Sequence, residues 1–163
     1  MKVLVISDTH GDDRNVIAAL IREMPVDALL HLGDSMEDED EFALCVAGED
    51  IPVYMVGGNC DFYHDHPRSR VVELAGHRIF MTHGHLEQVD WGTGDLAVAA
   101  LSNQCDIALY GHTHVPDLDD SDRHLLIGNP GSLSYPRQRG RRPTYMVLTL
   151  VRGKAPQAEL KEL

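Results

Sequence analysis

Five short apolar runs in this chain each break off at side chains able to bind a metal ion, and any fold must account for that pattern. Residues 3–7 stop at Asp8 and His10, 28–32 at Asp34, 52–57 at Asn59, 78–82 at His83, and 106–110 at His112 and His114. Short runs rich in Val, Ile and Leu read as buried strands. Glycine adjoins nearly every stop (Gly11, Gly33, Gly58, Gly84, Gly111), permitting tight turns and close backbone approach. Open α/β sheets bind ligands at the carboxyl ends of their strands. Five such ends converging would build one polar site on an apolar frame.

The segments between the runs suit an α/β domain. Val16, Leu20 and Met24, with Ile17 and Ile21 beside them, predict a helix that Pro25 ends. Ser35 is a suitable N-cap for a helix whose start is crowded with acids from Glu37 to Glu41. Ala75-Gly76-His77 predicts a hairpin turn between strands 70–74 and 78–82, and 94–103 predicts a short helix. Residues 117–122 read as an acidic turn before a strand at 125–127. Residues 144–151 read as the last strand, and 158–163 stay unassigned. With 163 residues the chain can bury about 70% of its unfolded surface, so a single domain over 1–163 with mixed sheets is expected.

Composition limits the partners. The 14 basic and 26 acidic side chains leave a formal net charge of −12, which argues against non-specific nucleic-acid binding and against docking to an anionic membrane. No apolar run approaches the ~18 residues of a membrane span, and the first run is too short for a signal-peptide core. Three scattered cysteines cannot complete an internal disulfide framework, so a cytoplasmic location is expected.

The ligand set has its own chemistry. Asp8 and His10, like His112 and His114, are two apart, so extended segments would point both side chains the same way. Seven oxygen and nitrogen ligands are too many for one ion and suit two ions sharing a carboxylate. Imidazole mixed with carboxylate favours Mn²⁺, Zn²⁺, Fe, Co²⁺ or Ni²⁺ over Mg²⁺ or Ca²⁺.

The series Asp8-x-His10, Gly33-Asp34, Gly58-Asn59-Cys60-Asp61, Thr82-His83-Gly84-His85 and Gly111-His112-Thr113-His114 resembles the calcineurin-like metallophosphoesterase family. Asn129-Pro130-Gly131-Ser132 narrows the resemblance to its small prokaryotic phosphodiesterase branch, and the match runs from residue 8 to residue 132. The resemblance implies an α/β fold: a two-sheet mixed β-sandwich flanked by helices (α-β-β-α) with two divalent metal ions, Mn²⁺ foremost, at one edge. It implies Asp8, His10, Asp34 and His114 around one ion, with Asp34 bridging to a second held also by Asn59, His83 and His112. The implied reaction is in-line attack of a metal-bound hydroxide on a small phosphodiester, involving Asp34, Asn59, Cys60 and His85. A phosphomonoesterase on the same site, or a non-catalytic scaffold of the same fold, are the alternatives. Many members carry histidine after the asparagine to protonate the leaving oxygen; here that residue is Cys60. The oligomeric state, homodimer or larger, stays open.

Other residues have weaker claims. His85 suits either a substrate contact or a structural loop. His64 and His66 suit a solvent-exposed or substrate-rim role rather than a third metal, while His31, His77 and His124 read as structural. The four arginines of 137–142 make either a solvated loop or a grip on a second phosphate, with Arg137 the foremost candidate for substrate binding. Trp91 is expected to pack, with stacking on a substrate base the alternative.

Overall fold

The first apolar run becomes β1 (Lys2–Ile6), and its alternate residues face two different cores. Val3 and Val5 point into the interior between two sheets, and Leu4 and Ile6 point out toward helices. A strand covered on both faces needs apolar residues throughout, which is why the run reads as continuous rather than alternating. The computed structural model describes residues 1–47 and 51–163.

Among the described residues the first sheet takes β1, β2 (Ala28–His31), β3 (Val53–Met55), β9 (Thr144–Thr149) and β10 (Gln157–Glu162), in the order β10-β9-β1-β2-β3. The second takes β4 (Ser69–Leu74), β5 (His77–Thr82), β6 (Ile107–Leu109), β7 (Asp117–Asp119) and β8 (Leu126–Asn129), in the order β4-β5-β6-β8-β7. Helices α1 (Arg14–Glu23) and α2 (Glu39–Phe42) cover the first sheet through Val16, Leu20 and Phe42. Helix α3 (Gly94–Ser102) covers the second through Leu96 and Ala100. The two-sheet α-β-β-α architecture is as expected.

Parallel pairing sets the position of the polar stops. β1, β2 and β3 run parallel, as do β5, β6 and β8, so their carboxyl ends lie along common edges. The pairing continues past the strands: the amides of Asp8 and His10 donate to the carbonyls of Gly33 and Asp34 at 3.0 and 2.9 Å. In the second sheet the Gly111 amide donates to the His83 carbonyl at 3.0 Å.

Several local expectations are corrected. Met24 lies beyond the end of α1 and is exposed, as are Ile17 and Ile21; the buried face is Val16, Ala19, Leu20 and Glu23. Ser35 does not cap α2, which starts at Glu39; its hydroxyl instead donates to the Glu37 carbonyl. The acidic segment starting at Asp117 is strand β7 for its first three residues, with Leu118 facing the core. The unassigned C-terminal residues form β10. The hairpin is as read: β4 and β5 pair antiparallel around Ala75 and Gly76, both at positive φ as a tight two-residue turn requires. The three cysteines are unpaired, and no described helix is long and apolar enough to cross a membrane.

Glu23 closes the seam between α1, β1, β9 and β10. Its buried carboxylate accepts from the Tyr145 hydroxyl at 2.9 Å and pairs with Lys161 at 3.0 Å and Lys2 at 2.7 Å. Burial pushes its pKa up, but the lysines and Tyr145 outweigh that and hold it down at about 2. A carboxyl depressed on folding contributes stability that is complete above its ordinary value of 4.5 and fades as pH falls from there toward 2. Glu23→Gln is therefore expected to cost about 2 kcal/mol at pH 7, less than the full pKa displacement implies because both lysines reach water. Urea denaturation across pH should show the gap from wild type narrowing below pH 4.5. A gap independent of pH would mean that packing, not charge, is lost.

Candidate metal centre

The seven ligand candidates gather at the shared strand-end edge in two overlapping groups. In the first, ligand atoms of Asp8, His10 and His114 lie within 4.8 Å of one another, with His114 Nε2 3.1 Å from Asp8 Oδ1. In the second, His83 Nε2 lies 3.5 Å from Asp34 Oδ2 and 3.2 Å from Asn59 Oδ1, and His112 Nδ1 lies 2.9 Å from the same Asn59 oxygen. Asp34 Oδ2 is also 3.9 Å from His10 Nε2, so Asp34 stands between the groups. Asp8 reaches across as well, with Oδ1 4.0 Å from His83 Nε2.

Donor chemistry shows that cations fit here. Both carboxylate oxygens of the fully buried Asp8, and Nε2 of His10, have no hydrogen-bond partner. Buried polar atoms are almost always paired, and three unpaired electron-donor atoms in one spot suit positive ions.

Three of the four imidazoles, those of His83, His112 and His114, are aimed by a bond on the other nitrogen. A carbonyl can only accept, so His83 Nδ1–H donates to Leu32 O and His114 Nδ1–H to Tyr135 O, both at 2.7 Å. That leaves Nε2 of each with its lone pair facing the site. His112 is the reverse: Nε2 faces the Asp90 carboxylate at 3.1 Å, leaving Nδ1 for the site. Asp90 carried no sequence claim. Nor did Asp61, the last residue of the Gly58-Asn59-Cys60-Asp61 motif; its carboxylate accepts from the amides of Asp34 and Gly58 at 2.8 Å and of Met36 at 2.7 Å. Those bonds hold the Asp34 turn, while Asp34 Oδ1 accepts from the Cys60 amide at 2.8 Å.

The paired ligands are not presented by extended backbone, as their spacing suggested. Asp8, His10, Asp34, His112 and His114 all have positive φ, between 48° and 66°. Such conformations cost side-chain-bearing residues roughly 1–3 kcal/mol each and persist only where surrounding bonds over-determine them. The 129–132 turn supplies some of those bonds: Asn129 Nδ2 donates to Gly111 O at 2.8 Å, and Ser132 Oγ to Asp8 O at 2.8 Å.

The remaining candidates line the rim. His85 is part-buried, its ring 5.4 Å from that of His83 and 6.0 Å from that of His112. With Asn59, Phe62, His64, His66 and Arg68 it faces a cavity of about 400 Å³. On the opposite group, His10 and His114 face a second cavity of about 530 Å³ with Tyr135 and Arg137. Cys60 offers its sulfur within the cluster formed with His10 and Asp34; burial, then Asp34, pushes this thiol up to about 11. His31 is structural: its Nδ1 accepts the Gly33 amide at 3.2 Å, so its Nε2–H donates to Thr9 Oγ1 at 2.9 Å. His77 pairs with Asp106 at 2.6 Å, and His124 lies exposed on the surface. Trp91, expected to pack, is instead 91% exposed, because its short helical turn (Val89–Trp91) buries only Val89.

The chain is also similar to known proteins. The family pattern for the calcineurin-like phosphoesterase superfamily domain matches residues 1–153. The chain is 34% identical to the probable metallophosphoesterase YsnB of Bacillus subtilis, over 92% of this chain and 85% of that protein. It is 30% identical to the phosphodiesterase YfcE of Escherichia coli, over 84% of this chain and 82% of that one. A crystal structure of a Streptococcus pneumoniae protein, described as a predicted phosphoesterase, superposes with a TM-score of 0.78. It is 30% identical and covers 98% of this chain and 97% of its own.

Proposed function

The chain belongs to the calcineurin-like phosphoesterase superfamily, and from that premise we propose that it is a phosphodiesterase using two divalent transition-metal ions. Asp8, His10, Asp34 and His114 would hold one ion; Asp34, Asn59, His83 and His112 the other. The observation that carries this reading is the set of buried, unpartnered ligand atoms on Asp8 and His10, facing Asp34 and the aimed imidazoles. A scaffold that had lost its chemistry would have no need of strained backbone at five ligand positions.

When bound, two such ions stabilise charge on a phosphoryl group and lower the pKa of water enough to supply a nucleophile at neutral pH. The chain's own part is positioning. Asp61 and the Cys60 amide fix Asp34, Asp90 orients His112, and the carbonyls of Leu32 and Tyr135 orient His83 and His114. His85, at the mouth beside Asn59, can contact the substrate phosphate, and Cys60 stands where many relatives place a proton-donating histidine. Diester over monoester is supported by the two cavities, one against each ligand group, which give room for two ester arms.

The test is removal and return of metal. Chelated protein is expected to lose hydrolysis of bis(p-nitrophenyl) phosphate, and Mn²⁺ to restore it far better than Ca²⁺. The restored enzyme should favour that diester over p-nitrophenyl phosphate. Full activity in protein assayed as metal-free, or a preference for the monoester, would sink the proposal.

A further inference from the structure

We propose that the cavity on the His10–His114 side binds a second, remote phosphate, so that the substrates are phosphodiesters with one arm ending in a phosphate. This rests on the diesterase reading above and adds the substrate class. The cavity, about 530 Å³, is lined by His10, His114, Tyr135, Pro136, Arg137 and Arg141. That is large enough for a nucleotide-sized arm. His10 and His114 of the first ligand group belong to its wall, so a diester held at that group can send an arm into it.

The two arginines are arranged for an anion that the protein itself does not supply. The Arg137 amide donates to the His114 carbonyl at 3.0 Å, tying this residue to a ligand loop. Among the described residues neither Arg137 nor Arg141 makes a side-chain hydrogen bond or an ion pair, although the chain carries 26 acidic side chains. Arg142, next in line, does pair, with Glu162 at 2.9 Å. The turn that presents Arg141 is built: the Arg141 amide donates to Gln138 O at 3.0 Å, Gln138 Nε2 to Arg142 O at 2.6 Å, and Arg141 itself holds a φ of 48°. Two guanidinium forks match the oxygens and double charge of a terminal phosphate better than any neutral group. In the same cavity the exposed Tyr135 ring, edge-on to His10 at 5.2 Å, offers a surface for the connecting sugar or base.

The experiment compares two dinucleotides that differ only in a 5′-phosphate, pdTpdT and dTpdT. The quantity read is the ratio of their kcat/KM values with Mn²⁺-loaded enzyme. The ratio is expected to be about 10 in wild type, a discounted figure because both guanidinium groups reach water. It should fall to near one in the Arg137→Ala, Arg141→Ala double variant and only partly in Arg137→Lys, which keeps the charge but loses the fork. Arg139→Ala, on the same loop but outside the cavity, should keep it. Calorimetric binding to chelated protein, where nothing turns over, should show the same margin. Equal handling of the two dinucleotides by wild type, or an unchanged ratio in the double variant, would overturn the inference. Hydrolysis of bis(p-nitrophenyl) phosphate in the same preparation would then leave the diesterase reading standing. Failure to cleave any diester would instead overturn that reading.

Discussion

Asp34→Asn will strip the site of metal and of activity while the fold survives. The two carboxylate oxygens of Asp34 have different duties: Oδ1 accepts the Cys60 amide at 2.8 Å, and Oδ2 faces His10 at 3.9 Å and His83 at 3.5 Å. An asparagine can satisfy only one. With its oxygen on the Cys60 amide, its NH₂ points at the ions and cannot ligate; flipped, the NH₂ opposes the Cys60 N–H. Either way the negative charge between two cations is gone. Loss of an outer partner of a ligand costs roughly 10–100-fold in metal affinity or activity, and loss of the shared ligand itself should exceed that. We expect turnover to fall on the order of 10³-fold, with metal content by mass spectrometry well below that of wild type. Chelated protein behaves in the opposite sense. There Asp8 and Asp34 are buried acids at close quarters with no cation between them, so the chelated variant should melt no lower than chelated wild type. Two tightly held ions and normal turnover in the variant would show that Asp34 does not join the two groups.

Gly58→Ala adds one methyl group and no charge, yet should damage the same site. A Cβ at residue 58 would lie 2.0 Å from Asp34 Oδ1 and 2.5 Å from the Asp34 amide nitrogen, so the Asp34 turn must move. It cannot move freely, because Asp61 grips the amides of Asp34, Met36 and Gly58 together. A shift near 1 Å at a reacting centre can cost on the order of 10²-fold in rate, and overpacking of this kind typically costs 1–3 kcal/mol in stability. Both should be visible, in kcat on an aryl diester and in the urea midpoint. Gly94→Ala is the matched comparison: its Cβ would meet nothing within 4 Å, at the start of α3, and it should leave both measurements close to wild type. Normal kcat in Gly58→Ala would mean that Asp34 tolerates displacement and that its placement is not demanding.

The ligand types, their order and their position at strand ends were legible because each is a local fact. An apolar run that will be buried on both faces is visible as such, and the polar residue that ends it is the next letter. The hairpin at Ala75-Gly76 was legible for the same reason: a two-residue turn needs positive φ at adjacent residues, and its flanking runs are short and apolar. Two of the edge strands were not: β7 and β10 are rich in charged and polar residues, and each needs only one apolar face. The register of α1 also misled, since Met24 and Ile21 continue an apolar pattern that the helix does not bury, while Glu23 is buried because Lys2, Lys161 and Tyr145 come to meet it.

At the site the division follows the same line. Asp8, His10, Asp34, Asn59, His83, His112 and His114 could be named from the chain because a side chain's capacity to ligate is intrinsic to it. Which nitrogen of His83, His114 and His112 faces inward depends on Leu32, Tyr135 and Asp90, residues 21 to 51 positions away that no ligand motif contains. The left-handed backbone at five ligands, and the three amides gathered on Asp61, arise only when parallel strand ends from both sheets are brought side by side. Orientation is a property of hydrogen bonds between distant segments, and those exist only in the folded chain.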